Sequence, residues 1–184
     1  MAFKSSAEFR RWLRKQHADS DGVWLRIFKE DSGAKSITYA EALDQLLCYG
    51  WIDGQKQPHD ERSWLQKITP RRAKSGWSKK NTEHVERLIK MGQMTPAGLE
   101  AVLAAKEDGQ WQAAYESPRN AAPPGDLLKA LDKNTKAKAL FGTLNKANIY
   151  AIVYRLQTAR KPETREKRLE LILGMLSRGE TFHP

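Results

Sequence analysis

Apolar residues recur along this chain at two spacings, and the switch between them marks out the elements. Phe9, Trp12 and Leu13 stand at i, i+3 and i+4, with Arg10, Arg11, Arg14 and Lys15 on the other face. That pattern predicts an amphipathic helix from Ser5 to His17. Ser5 and Glu8 have the spacing of a capping box at its start. Asp19-Ser20-Asp21-Gly22 reads as a turn. From Val23 to Lys29 the period drops to two: Val23, Leu25 and Ile27 share one face, Trp24 and Phe28 the other. Apolar residues on both faces predict a strand covered on both sides.

A second helix is predicted from Thr38 to Tyr49. Thr38 and Glu41 fit a capping box, Leu43, Leu46 and Leu47 form the buried stripe, and Gly50 suits the position just past the end. Trp51 to Gln55 and Ser63 to Thr69 read as two strands, with the polar stretch Lys56 to Arg62, including Pro58, turning between them. A three-stranded sheet, antiparallel or mixed, backed by two helices is the economical assembly. From Ser78 the pattern is helical to the end. Val85, Leu88 and Ile89 mark one helix, and Leu99, Val102 and Leu103 are the stripe of the next, which Thr95 caps and Pro96 opens. Ile149, Ile152, Val153 and Leu156 mark a longer helix, and Leu169, Ile172, Leu173 and Leu176 the last.

The expected fold class is therefore α+β: a small three-stranded sheet packed with helices, followed by a helical C-terminal half. Ser-Pro-Arg-Asn-Ala-Ala-Pro-Pro-Gly at 117–125 reads as a linker. It divides an α+β domain over 1–116 from a helical region over 126–184, the two being alternatively one continuous domain.

Composition narrows the class. Of 184 residues 40% are hydrophobic, enough for an ordinary core. One cysteine, Cys48, allows no internal disulfide, and the first residues lack the apolar run of a signal peptide, so a cytoplasmic location is expected. No stretch approaches the roughly 18 apolar residues of a membrane span. The net charge of +10 points to anionic partners: an anionic small molecule, an acidic partner, or nucleic acid.

The chemistry-bearing residues are few. The histidines are His17, His59, His84 and His183, no two at i, i+4 on a predicted helix, so no metal site and no cofactor are expected. Cys48 follows Leu46-Leu47 and reads as a small buried hydrophobe. Asp53, His59 and Asp60 flank the predicted hairpin. They are either acid–base groups of an enzyme or turn-forming residues. Thr69 to Asn81 is a basic loop running into a helix N-terminus, and from Arg71 to Lys90 seven Lys or Arg face two Glu. Unpaired N–H groups, the hydroxyls of Ser75 and Ser78, and the Arg71, Arg72, Lys74 and Asn81 side chains would suit phosphate, sulfate or carboxylate. Structurally, Ser78 would be an N-cap and Trp77 a core plug. Trp51, Asp53 and Trp77 are candidate pocket residues. Further basic clusters lie at Arg10 to Lys15 and Arg155 to Arg168.

Cys48-Tyr49-Gly50-Trp51-Ile52-Asp53-Gly54, Thr69-Pro70-Arg71-Arg72 and Ser75-Gly76-Trp77-Ser78-Lys79-Lys80-Asn81 resemble the YdeI/OmpD-associated family, also labelled bacteriocin-protection proteins. Gly92-Gln93-Met94-Thr95-Pro96-Ala97-Gly98 and Lys161-Pro162-Glu163-Thr164-Arg165 are similar to its later blocks. The resemblance runs from Phe9 to about Leu176; Gly76 stands where the family pattern has a bulkier apolar residue. It implies a role in envelope stress, tolerance of cationic antimicrobial agents and association with an outer-membrane porin, and it brings no catalytic residues. The leading expectation is a non-enzymatic bacterial stress and envelope-protection protein that binds an anionic ligand or partner through the basic loop. An enzyme using Asp53, His59 or Asp60 and a protein–protein adaptor are the alternatives.

Overall fold

The computed structural model describes all residues from Met1 to Pro184. Eight helices and three strands follow in order: α1 (Ser6–Gln16), β1 (Val23–Phe28), α2 (Tyr39–Cys48), β2 (Trp51–Asp60), β3 (Ser63–Pro70), α3 (Lys79–Lys90), α4 (Pro96–Glu107), α5 (Gly125–Asp132), α6 (Thr135–Phe141), α7 (Lys146–Gln157) and α8 (Pro162–Ser177). The fold is α+β. The chain divides into two compact units, one of Met1–Ser75 with Asn81–Gln112, the other of Gly76–Lys80 with Ala113–Pro184.

The first unit is built on an antiparallel sheet of order β1-β3-β2. Its inner face buries Leu25, Ile27 and Ile68 against helices that contribute Phe9, Leu13, Leu43, Leu46 and Leu47. The predicted burial on both faces holds for this face alone. Trp24 and Phe28 on the other face are half-buried, and Lys67 and Arg26 lie over their rings at 5.6 and 4.4 Å. The caps fall where the spacing puts them. The Ser5 hydroxyl accepts from the Glu8 N–H at 3.3 Å. Thr38 and Glu41 close a full capping box.

Residues 56–60, expected in a loop, continue β2, and the turn shrinks to Glu61-Arg62. Pro58 is tolerated because β2 is an edge strand, where its missing N–H breaks no ladder. Between Asp53 and Lys56 the strand carries one extra residue. The buried Gln66 amide donates to the Gly54 and Gln55 carbonyls at 2.9 and 3.3 Å, so this bulge leaves neither carbonyl orphaned.

The stripe expected on α4 is displaced. Leu99 and Leu103 are exposed, and Gly98, Val102 and Ala105 are buried instead. Close packing decides this: a Cβ on Gly98 would lie 2.2 Å from the Cys48 carbonyl oxygen at the end of α2. The smallest residues face the nearest backbone. The Thr95 N–H and hydroxyl both donate to that same oxygen, at 3.1 and 2.6 Å.

The second unit packs Leu127, Leu131, Ala137, Ile152, Leu156, Ile172, Met175 and Leu176 into a helical core. Its basic cluster is structural. Arg165 and Arg168 donate to the Leu156 and Arg155 carbonyls, both at 2.6 Å, capping the C-terminus of α7. Arg165 also grips Asp126 with two hydrogen bonds, at 2.6 and 2.9 Å.

Candidate functional site

The sequence-predicted residues divide into three groups. Of the candidate pocket residues, Trp51 and Trp77 are buried, at 1% and 3% exposure. The Trp51 indole donates to the His17 carbonyl at 3.1 Å and meets Trp12 edge-on, joining α1 to the sheet.

Asp53, His59 and Asp60 do not converge. Asp53 and Asp60 stand seven residues apart on one strand, a separation of roughly 20 Å. Asp53 accepts from the Tyr39 hydroxyl at 2.7 Å. Burial first, then that carboxylate, pushes the Tyr39 hydroxyl pKa well above its ordinary value, so it stays a donor. Asp60 is exposed and accepts from the Ser63 hydroxyl, the Arg62 N–H and Arg26, at 2.7, 3.0 and 2.6 Å. Those three partners, Ser63 foremost, hold its carboxyl below the usual range. His59 is 3.9 Å from it. This is an ionised hairpin brace.

The basic loop is a turn closed on itself. The Ser75 hydroxyl accepts from the Arg72 N–H at 3.1 Å, and the Ser75 N–H returns to the Arg72 carbonyl at 3.0 Å. Lys74 sits between them in the left-handed region, at φ 69°. Arg72 and Lys74 are exposed. Arg71 donates its backbone N–H to the Gly50 carbonyl at 2.9 Å, which anchors the loop to the corner between α2 and β2. Ser78 and Lys79 pair with Tyr115 and Glu116 in the second unit. Asn81 lies half-buried in the first turn of α3.

The same α2–β2 corner carries a feature that in sequence is only a run of charge. Tyr49, the residue that caps α2, lines a hollow of about 210 Å³ with Ala7, Arg10, Arg11 and Arg14 of α1. Helical spacing puts the three guanidinium groups on one side of α1. Arg10 is fixed: it donates to the Gln45 side chain at 2.9 Å and to the Gln93 carbonyl at 3.0 Å, and it lies 5.5 Å from the Tyr49 ring centroid. Arg11 and Arg14 are exposed and make no hydrogen bond or ion pair. Asp44, on α2, is occupied by Arg87 and His84 at 2.6 and 2.9 Å. The arrangement is one held guanidinium flanked by two uncommitted ones. Such a group can receive an oxyanion through charge-assisted bonds. Two glutamines and a tyrosine place Arg10, and nothing in their spacing marks them out before α1, α2 and the Gln93 loop meet.

Two family models match separate parts of the chain. Residues 120–179 match the family described as "Bacteriocin-protection, YdeI or OmpD-Associated". The segment that contains the Cys48–Gly54 and Thr69–Asn81 blocks is covered by a different model, which spans residues 1–101. No curated protein and no solved structure matches the chain. The chain thus carries a YdeI/OmpD-associated region in its C-terminal half and, by the match that covers more than half its length, belongs to the family described as a domain of unknown function, DUF8412.

Proposed function

We propose that this protein is a non-enzymatic, protection-associated binding protein whose N-terminal unit holds an anionic ligand at the α2–β2 corner. The observation that carries the reading is the arginine hollow, in which Arg10 is locked by Gln45 and Gln93 while Arg11 and Arg14 stand uncommitted beside Tyr49. A fixed guanidinium forfeits little rotamer entropy when a ligand arrives, which favours binding. The hollow suits a group of phosphate, sulfate or carboxylate size. Arg72 and Lys74, on the loop tied to Gly50 one residue from Tyr49, supply further positive charge close by. The matched family description supports the protective role, and the net charge of +10 supports an anionic partner.

The test is thermal. Inorganic phosphate raises the melting temperature of the full chain as ligand linkage requires. Arg11→Ala with Arg14→Ala abolishes the rise, and Arg72→Ala with Lys74→Ala weakens it without removing it. A wild-type chain that melts at the same temperature with and without phosphate, at matched ionic strength, ends the proposal.

A further inference from the structure

Charge is divided unevenly between the two units. The helical unit, Gly76–Lys80 with Ala113–Pro184, holds 15 Lys or Arg against 7 Asp or Glu, a net +8. The other unit holds 17 against 15, a net +2. Part of the excess on the helical unit is committed to structure. Arg165 is held by Asp126, Arg168 by carbonyl and hydroxyl oxygens at the end of α7, and Arg155 by the Ala151 carbonyl and the Phe182 ring. Lys146 and Lys161 are not: both are exposed, and neither ammonium makes a hydrogen bond or ion pair.

These two lysines stand at the ends of α7, Lys146 opening the helix and Lys161 just past its C-terminus. One side of α7 buries Asn148, Ile152 and Leu156. Helical spacing sets Lys146, Tyr150 and Tyr154 in a row on the opposite side. Tyr154 is 37% exposed and Tyr150 is half-buried. Neither hydroxyl has a hydrogen-bond partner, and no cation lies over either ring. Tyr115 meets Tyr154 at 85° with centroids 5.0 Å apart, and Tyr150 lies 5.9 Å from it at 44°. A right-angled contact covers at most one face of a ring. Tyr115 thus orients Tyr154 and leaves it a face for a flat partner.

An aromatic row between unpaired cations, on the unit that carries most of the positive charge, complements a chain that alternates flat bases with phosphates. Unstacked bases pack on aromatic faces, and phosphates pair with the ammonium groups. A duplex offers the phosphates but keeps its bases stacked on one another. An acidic polypeptide offers the charge without the flat rings.

We propose that this face of α7 binds single-stranded nucleic acid, its bases stacking on Tyr154 and Tyr150 and its phosphates pairing with Lys146 and Lys161. The site lies on the other unit from the arginine hollow and stands if that reading fails.

The experiment is fluorescence anisotropy of a labelled oligodeoxythymidine of about 12 nucleotides, a length suited to one binding platform, titrated with the full-length protein across a salt series. The expected result is saturable binding at about 50 mM salt that weakens as salt rises. Tyr150→Ala with Tyr154→Ala lowers the affinity about tenfold or more and leaves the salt slope in place. Tyr154→Ala alone, at an exposed position, moves affinity the same way should the double variant not fold. Lys146→Ala with Lys161→Ala instead flattens the slope by about 1.4, the share of two phosphates on a single strand. Arg11→Ala with Arg14→Ala binds as wild type, which separates this site from the arginine hollow. No saturable binding at low salt overturns the proposal. Wild-type affinity in the tyrosine variants, or the same strand bound as tightly when paired into a duplex, overturns it as well.

Discussion

Replacing Gly98 by alanine isolates the close approach on which the α2–β2 corner depends. The added methyl would stand 2.2 Å from the Cys48 carbonyl oxygen, 2.7 Å from its carbon and 2.9 Å from the Leu47 oxygen. The first distance is more than about 1 Å inside ordinary contact. All three neighbours are backbone atoms in the last turn of α2, so no side chain can swing away and α4 itself must move. Intrinsic helix preference pulls the other way, by at most the about 0.5–1 kcal/mol that alanine gains over glycine in a helix interior, since Gly98 lies in the first turn of α4. Overpacking costs about 1–3 kcal/mol. Separating α4 from Cys48 also strains the two hydrogen bonds from Thr95, worth about 1 kcal/mol each. The net is a destabilisation of about 2 kcal/mol, or a melting temperature lower by roughly 4–8 °C for a chain of this size. Thermal melts by circular dichroism, with urea denaturation at constant slope, measure it. Gly174→Ala is the control: its methyl would meet only the flexible Arg178 side chain, at 3.4 Å in the last turn of α8. It should stabilise by about 0.5–1 kcal/mol. A Gly98→Ala protein as stable as wild type, or more so, refutes the packing account of α4.

Two further outcomes follow from the second unit. The Arg165 guanidinium, together with the Leu127 N–H, holds the Asp126 carboxyl below its ordinary pKa. A depressed folded-state value adds stability that is present above the unfolded-state pKa of about 4 and is lost as pH falls through the folded one. Asp126→Asn should therefore melt below wild type at neutral pH, and the gap should close below about pH 4; a gap that widens on acidification contradicts the assignment. Asn148 is buried, accepts from the Phe182 and His183 N–H groups at 3.0 and 2.9 Å, and donates to Asn145 and the His183 carbonyl. Asn148→Ala should cost about 2–3 kcal/mol in urea denaturation and expose the Phe182 and His183 amides to rapid hydrogen exchange; unchanged protection there counts against the tie.

The elements were legible in the sequence because their signals are local. Ser5, Thr38 and Thr95 each cap the helix their spacing announces, and Gly50 takes the left-handed conformation expected after α2. What the sequence hid is non-local. The face of α4 was misread because apolar periodicity weights Leu99 and Leu103 over Gly98 and Ala105, while the packed surface is chosen by how near Cys48 comes. The extension of β2 past Pro58 was hidden because strand order, which makes β2 an edge, is a tertiary property. Arg155 to Arg168 looked like a charged face, yet its Arg165 and Arg168 cap the carbonyls of α7. The cluster from Arg10 to Lys15 looked alike in sequence, yet Arg10 acquires fixed partners from α2 and from residue 93. The Asp53–Tyr39 contact joins residues fourteen apart, and no spacing rule encodes it.

The central claim rests on Arg10, Arg11 and Arg14 acting as one receptor for an oxyanion. Titration calorimetry of inorganic phosphate into the full-length protein, with Arg11→Ala/Arg14→Ala as the comparison, addresses it directly. The account predicts saturable heat with one phosphate per chain in wild type, weakened by added salt, and none in the double variant. Equal heats in both proteins, or no heat in either, would contradict it.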